Sequence, residues 1–128
     1  MRFLQLRAHN RLFVVIALVG AALACRPGTS DFRPPLSFSP DKLPDAQAGQ
    51  PYDVTITVSG NQTPVFEFIV DNDDLPKGLV LHFESGNTAK VSGIPFDKGE
   101  YEFTIKVSCF GTSVNGQTGE HQYRLFVK

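Results

Sequence analysis

The sequence GEYEFTIKVSC, residues 99–109, decides the fold class. Its apolar residues occur at every second position, and polar residues separate them. Because successive side chains of a β-strand point to opposite faces, this alternation predicts a strand with one face in the core and one in solvent. The same parity predicts that Cys109 points inward and packs as a small apolar side chain; a reactive or bridged thiol is the alternative.

Six other short segments have the composition of strands, and turn residues recur about every ten positions between them. Val65–Val70 is apolar at nearly every position, which predicts a strand that is buried on both faces or lies centrally in its sheet. A two-residue turn at Asn115-Gly116 would place Gln122 and Arg124 in the core, so we predict an odd-length loop in the last hairpin. About seven strands without a helical period predict an all-β fold, a single antiparallel β-sandwich with Greek-key connections.

Residues 1–24 have the organisation of a cleaved signal peptide. Three arginines and no acidic residue come before an apolar run of at most thirteen residues, Leu12–Ala24. This run is shorter than the 20 or so apolar residues that a membrane-spanning helix needs. It ends in Ala-Leu-Ala directly before Cys25, a pattern that suits both the general and the lipoprotein signal peptidase. We therefore predict cleavage before Cys25.

The Ala-Leu-Ala-Cys stretch resembles a bacterial lipoprotein lipobox, with Ala24 and Cys25 at its two strict positions. The resemblance implies that Cys25 carries a diacylglycerol and an N-acyl chain such as palmitate, and stable anchoring to a membrane needs more than one chain. Arg26 follows in place of the Asp of an inner-membrane retention signal, which favours the outer membrane, with the domain in the periplasm or at the cell surface. If Cys25 instead remains a thiol, a disulfide with Cys109 is the alternative.

The charge of the processed chain excludes one class of partner. Residues 1–24 hold three of the twelve basic residues and none of the thirteen acidic ones, which leaves nine against thirteen and a net charge of −4. Because phosphate binding needs a basic patch, we expect no nucleic acid partner. Residues 25–42 are rich in proline and polar residues and are predicted to be a lipid-anchored tether that ends in a short first strand. Residues 43–128 are predicted to form the folded domain.

Five short motifs follow one another through residues 43–128. They are Leu43-Pro44, Ala48-Gly49-Gln50-Pro51-Tyr52, Leu75-Pro76-x-Gly78-Leu79-x-Leu81, Val91-Ser92-Gly93-x-Pro95 and Gly99-Glu100-Tyr101-x-Phe103-Thr104. In this order they resemble the bacterial immunoglobulin-like family, which is close to the dystroglycan-type cadherin-like domains. The resemblance implies an immunoglobulin-like or cadherin-like β-sandwich used for adhesion, spacing or ligand contact on exported proteins. Asp97-x-Gly99-x-Tyr101 is similar to the tyrosine corner of such sandwiches.

Few residues are candidates for metal binding or catalysis. Asp71, Asp73 and Asp74 form the acidic cluster of the chain and resemble the calcium-binding segments of cadherins in composition, so they are the candidate calcium ligands. A solvated turn is the alternative, because calcium takes six to eight oxygen ligands. No other cofactor is expected. His82 and His121 are both predicted to point outward from strands, and no nucleophile or metal motif accompanies them, so we predict no enzymatic activity.

Two phenylalanines are the candidate partner-binding residues. Phe110 and Phe126 are out of phase with the buried positions of adjoining strands, which predicts two exposed aromatic neighbours if the register holds. The loop Gly111–Gly119 beside them is long for a hairpin, and long loops on rigid sandwiches often carry recognition. The expected function is a non-enzymatic exported lipoprotein whose domain binds a protein or glycan of the cell envelope, or supports its assembly. The alternative is an inhibitor or immunity-type protein that blocks an enzyme with this loop.

Overall fold

The computed structural model describes residues 33–128, apart from the side chain of Asp73. It contains the strands β1 (Ser37–Ser39), β2 (Tyr52–Ser59), β3 (Val65–Val70), β4 (Leu79–Ser85), β5 (Thr88–Gly93), β6 (Gly99–Cys109) and β7 (Thr118–Val127). The predicted signal peptide, Cys25 and the first part of the predicted tether lie outside the described residues. Within residues 33–128, no helix is long and apolar enough to cross a membrane.

The seven strands form two antiparallel sheets with the strand orders β1-β2-β5-β4 and β3-β6-β7. This is the strand arrangement of a constant-type immunoglobulin sandwich, which confirms the predicted fold class. Strand β1 pairs with β2 from Ser37 to Ser39, so the folded unit begins before the predicted boundary at residue 43. Between β1 and β2 the chain crosses to the other sheet, where Ala46 pairs in parallel with Val127 of β7. This crossover segment therefore covers part of the outer edge of β7.

The alternation of β6 places its apolar side in the core, as predicted. Phe103, Ile105, Val107 and Cys109 are all buried. Burial raises the pKa of the Cys109 thiol, which packs among apolar side chains. Ile105 lies opposite His121 of β7, and this register requires an odd number of loop residues between the two strands. The predicted odd-length loop is confirmed.

The prediction for β3 is wrong: this strand lies at an edge of its sheet and is buried on one face only. Val65 pairs with Cys109 and Glu67 pairs with Ser108, so Phe66 is the extra residue of a β-bulge. A bulge shifts the parity of the residues that follow it, so Val65 and Phe68 both face the core. The continuous apolar run thus reflects a change of parity within the strand rather than two buried faces.

Three tyrosine hydroxyls tie the connections to the sandwich. Tyr101 donates to the carbonyl of Asp97 at 3.2 Å, which is the contact expected of a tyrosine corner. Tyr52 donates to the carbonyl of Pro44 at 2.9 Å, and Tyr123 donates to the carbonyl of Pro40 at 2.9 Å. The last two bonds hold the first half of the segment between β1 and β2.

Candidate functional site

The connections of the sandwich gather at two opposite ends. The first end holds the β2–β3 loop, the β4–β5 turn and the β6–β7 loop, and Arg33, where the described chain begins, donates to the carbonyl of Asn115 there at 2.7 Å. We call it the loop end. The second end holds the β3–β4 and β5–β6 connections, and we call it the far end. Each end exposes large apolar side chains, and these are the candidate contact surfaces.

The side-chain amide of Gln117 is buried at the loop end and joins three segments of the chain. Its nitrogen donates to the carbonyls of Pro34 at 3.0 Å and Gly60 at 3.2 Å. Its oxygen accepts the backbone N–H of Gln62 at 2.7 Å. Buried backbone groups need partners, so this single amide fixes the start of the domain and the β2–β3 loop against the β6–β7 loop.

Further hydrogen bonds hold the β6–β7 loop against the β2–β3 loop. The N–H of Phe110 donates to the carbonyl of Pro64 at 2.9 Å, and the Thr63 hydroxyl donates to the carbonyl of Phe110 at 2.6 Å. Within the loop, the N–H of Thr112 donates to the carbonyl of Val114 at 3.0 Å. The backbone of the loop end is therefore fixed on both sides of Phe110, and a contact made there loses little conformational entropy on binding.

Replacing Gln117 by alanine is expected to lower the free energy of unfolding by about 2 kcal/mol, because two carbonyls and one N–H lose their partner and only partly regain water. Urea denaturation of the purified protein measures this change. Gln122→Ala is the matched control, since Gln122 is exposed on β7 and should change the stability by less than about 0.5 kcal/mol. Equal effects of the two substitutions would contradict the role assigned to Gln117.

Three apolar side chains stand out of the loop end and define what we call the loop-end surface. They are Phe66, Phe110 and Val114, with exposed fractions of 45%, 53% and 62%. The rings of Phe66 and Phe110 contact each other, with centroids 5.0 Å apart. Phe66 and Val114 line an open depression of about 720 Å³ along the β6–β7 loop. Phe66 and Phe110 directly follow Val65 and Cys109, two buried residues that pair with each other, and alternation therefore turns both phenylalanines outward.

Phe110 and Phe126 are both exposed as predicted, but the prediction that they are neighbours is wrong. Phe126 lies opposite Glu100, whereas Phe110 follows the last residue of β6. Ten residues of extended strand separate these positions, which is about 33 Å. Phe110 therefore belongs to the loop end and Phe126 lies near the far end, so the two cannot form one contact site.

The far end exposes Ile94 and Phe96, which we call the far-end surface. Phe96 is 69% exposed, more than any other large apolar side chain in the described residues. The backbone around it is fixed, because the N–H groups of Ile94 and Phe96 donate to the carbonyls of Gly78 and Lys77, each at 3.1 Å. Pro95 between them is buried. Phe96 is thus exposed on a rigid turn.

The outer faces of both sheets carry ion pairs within the domain. Arg124 pairs with Glu100 and Glu102 on the face of β6 and β7. Lys90 pairs with Asp53 and Glu84 on the face of β2, β4 and β5, and these carboxylates raise its pKa. Because the cations on both faces already have acidic partners, the apolar ends are the stronger candidates for contact with another molecule.

The acidic cluster lies in the β3–β4 connection, where Asp71–Asp73 form a single 3₁₀ turn. Lys106 pairs with Asp71 at 2.8 Å, and the hydrogen bond to this carboxylate raises the pKa of the lysine. Among the side chains that the structure describes, no three acidic, histidine or cysteine residues are grouped as metal ligands would be. Calcium binding by Asp71, Asp73 and Asp74 stays a prediction.

The two histidines differ from each other. His82 is exposed, as predicted. The prediction that His121 points outward is wrong, because His121 shares the parity of the buried Tyr123 and is partly covered. Its ring stacks on Phe38 with centroids 5.4 Å apart, and its Nε2 lies 3.0 Å from the Asp41 carbonyl oxygen. A depression of about 540 Å³ adjoins His121, and its described lining contains no hydroxyl or thiol nucleophile.

Together, the two sheets, the tyrosine corner and the fixed connections at both ends define an immunoglobulin-like β-sandwich domain. A family model described as "Putative Ig domain" matches residues 34–127, and the chain belongs to this family. Domains of this class are binding or structural modules, and the family is generally non-catalytic. A comparison with curated proteins finds no match.

Two comparisons with solved structures concern the fold. The chain is similar to the ASH/PapD-like domain 7 of human CEP192, with a TM-score of 0.50 and 10% identity over 81% of this chain and 92% of that domain. It is also similar to part of an endo-fucoidan hydrolase from glycoside hydrolase family 107, with a TM-score of 0.47 and 20% identity over 81% of this chain. The match spans only 15% of that hydrolase. The first likeness shows a shared fold, and the second carries no argument about function.

Proposed function

We propose that the chain is an exported lipoprotein of the bacterial envelope, anchored to the outer membrane by lipid on Cys25, and that its domain is a non-enzymatic binding module. The lipid anchor is supported by the lipobox-like stretch before Cys25. The observation that carries the binding role is that exposed apolar side chains lie on fixed turns at both ends of the sandwich, Phe110 and Val114 at the loop end and Ile94 and Phe96 at the far end. A binding module needs a contact surface whose geometry is fixed before the partner arrives, because little entropy is then lost on binding.

The hydrogen bonding of buried polar groups also supports a binding role rather than a catalytic one. In residues 33–128, every buried side-chain nitrogen or oxygen has a hydrogen-bond partner. Active sites, in contrast, collect polar groups with strongly perturbed pKa values in a cleft. The tyrosines whose pKa values are raised most both donate to backbone carbonyls and have structural roles. His82 and His121 are the remaining candidates for a base, and any turnover that His82→Ala or His121→Ala abolishes would overturn the non-enzymatic assignment.

The partner is an envelope protein or glycan, and capture from detergent-solubilised envelope tests this proposal. The intact protein should retain one main partner, and Phe96→Ser or Phe110→Ser should reduce its recovery by a factor of about 10 or more if that phenylalanine is central to the contact. Val80→Ser is the matched control for Phe110→Ser, because Val80 is 51% exposed against 53% for Phe110 but lies at the start of β4, away from the loop end. Capture that is unaffected by both phenylalanine substitutions would contradict binding through the ends.

The identity of the captured partner distinguishes between the two functions that the sequence analysis suggested. A large envelope assembly favours the structural or adhesive role, whereas a single hydrolase favours an inhibitor. The inhibitor hypothesis further requires that the β6–β7 loop enters the active site of the enzyme. In that case Val114→Ser at the tip of the loop should relieve inhibition, and Phe96→Ser at the other end should not.

A further inference from the structure

The start of the described chain is at the loop end, and this fixes which end lies nearer to the anchor. Arg33 donates to Asn115 in the β6–β7 loop, and Pro34 accepts from Gln117 beside it. The chain therefore enters the sandwich at the same end as Phe110 and Val114. Seven residues separate Cys25 from Arg33.

The length of this connection limits how the domain can stand on a membrane. Whatever its conformation, a chain of eight Cα steps reaches at most about 29 Å. Strand β6 alone has 11 residues and is about 33 Å long, before the turns at its two ends are added. The connection is thus shorter than the sandwich. A domain anchored at Cys25 cannot turn over and place its far end on the membrane that holds the lipid.

The length of this connection also restricts which molecules can cover the loop-end surface. A globular domain of about 100 residues has a radius of gyration of about 13 Å and a diameter above about 30 Å. When the long axis of the sandwich stands upright on the membrane, such a partner does not fit between the loop end and a bilayer that is at most about 29 Å away. The bilayer, by contrast, is always within reach, because the anchor gives it a high effective concentration at this end.

We propose that the loop-end surface rests on the bilayer that carries the lipid anchor, with Phe66, Phe110 and Val114 in contact with the membrane interface. This inference rests on the proposed lipid at Cys25. The three side chains are exposed, apolar and held on a fixed backbone, and apolar area buried at the boundary of headgroups and acyl chains strengthens membrane attachment. The far-end surface, with Phe96, then points away from this membrane and is the surface left for the envelope partner.

Fluorescence quenching in vesicles tests this orientation. The full processed lipoprotein, in a Cys109→Ala background, is labelled with the same fluorophore at Ser113→Cys in the loop end or at Lys98→Cys in the far end. It is then reconstituted into vesicles of phosphatidylethanolamine and phosphatidylglycerol that contain nitroxide-labelled lipids. We expect quenching of the label at position 113 and none at position 98. Equal quenching at both positions, or stronger quenching at 98, would overturn the proposal.

A second variant tests the apolar contact itself. Phe110→Ser together with Val114→Ser should reduce the quenching at position 113, and unchanged quenching would overturn the contact even if the orientation held. A label at 113 that lipid does not quench but that an added envelope protein shields would assign the surface to a protein and also overturn the proposal. The intact mass of the same sample shows whether the proposed function fails or only this inference fails. A mass without lipid on Cys25 overturns the proposed function together with this inference, whereas lipid without a quenching contrast overturns this inference alone.

Discussion

Replacing Gly93 by alanine is expected to lower the free energy of unfolding by about 3 kcal/mol. Gly93 ends β5 with a φ of 137°, which only glycine adopts easily, and a Cβ there would lie 2.0 Å from the carbonyl oxygen of Gly78. The contact is reciprocal, since a Cβ on Gly78 would lie 1.9 Å from the carbonyl oxygen of Ile94. Two backbones meet here without room for any side chain, so neither can move without breaking the pairing of β4 with β5.

Gly86→Ala is the matched control for this prediction. Gly86 has a φ of 59°, and a Cβ on it would meet nothing within 4 Å, so its replacement tests the dihedral cost without the steric one. It should cost about 1 kcal/mol in the same urea denaturation experiment. If Gly93→Ala costs no more than Gly86→Ala, the close approach of the two backbones at the far end does not exist.

Alkaline solution is expected to destabilise the domain by up to about 5 kcal/mol between pH 10 and pH 12. Desolvation by burial, followed by the nearby charge of Asp45, raises the pKa of Tyr52 from 10.0 to about 12. Desolvation, followed by the charge of Asp41, raises the pKa of Tyr123 from 10.0 to about 12. Both phenols are almost fully buried and donate to backbone carbonyls, so ionisation would break these bonds.

The sign of this effect follows from the proton balance. Above pH 10 the tyrosines of the unfolded chain lose their protons, while the folded chain keeps them until about pH 12. The unfolded state then binds fewer protons than the folded state, so a rise in pH favours unfolding. The stabilising contribution is complete below pH 10 and is lost as the pH rises through 12.

The variant with Tyr52→Phe and Tyr123→Phe isolates this contribution, because it lacks both phenols and keeps every other titratable group of the chain. It should be less stable at pH 7 by about 2 kcal/mol, since the carbonyls of Pro44 and Pro40 lose their donors. Between pH 10 and pH 12, however, its free energy of unfolding should fall much less than that of the natural protein. Parallel curves for the two proteins would contradict the assignment.

The sequence is sufficient to predict the sheets because alternation reports directly which side of a strand is buried. Residues 101–109 and 123–127 show this clearly, and the burial of both sets requires the odd-length loop that the structure contains. Two of the family motifs also acquire a physical reason, because Gly78, directly before β4, and Gly93, the last residue of β5, are in close contact. These features are local in the sequence or follow from a two-residue period.

The predictions that failed concern features that depend on how the strands pair or on contacts between distant segments. Alternation along one strand reports neither. The hairpin that joins β6 to β7 already implies that Phe126 lies near the start of β6, and the parity of Tyr123 already implies that His121 is partly covered. The bulge at Phe66 has no sequence signal, because either parity leaves apolar residues exposed. The burial of Gln117 cannot be predicted either, since it depends on three distant segments that meet only in the folded domain.

The intact mass of the processed protein, purified from bacterial membranes, tests the central claim most directly. The proposal predicts a chain that starts at Cys25, ends at Lys128 and carries the added mass of one diacylglycerol and one acyl chain. A soluble chain of residues 25–128 without lipid, or a chain that retains residues 1–24, would contradict the claim that this immunoglobulin-like domain is a lipid-anchored module of the envelope.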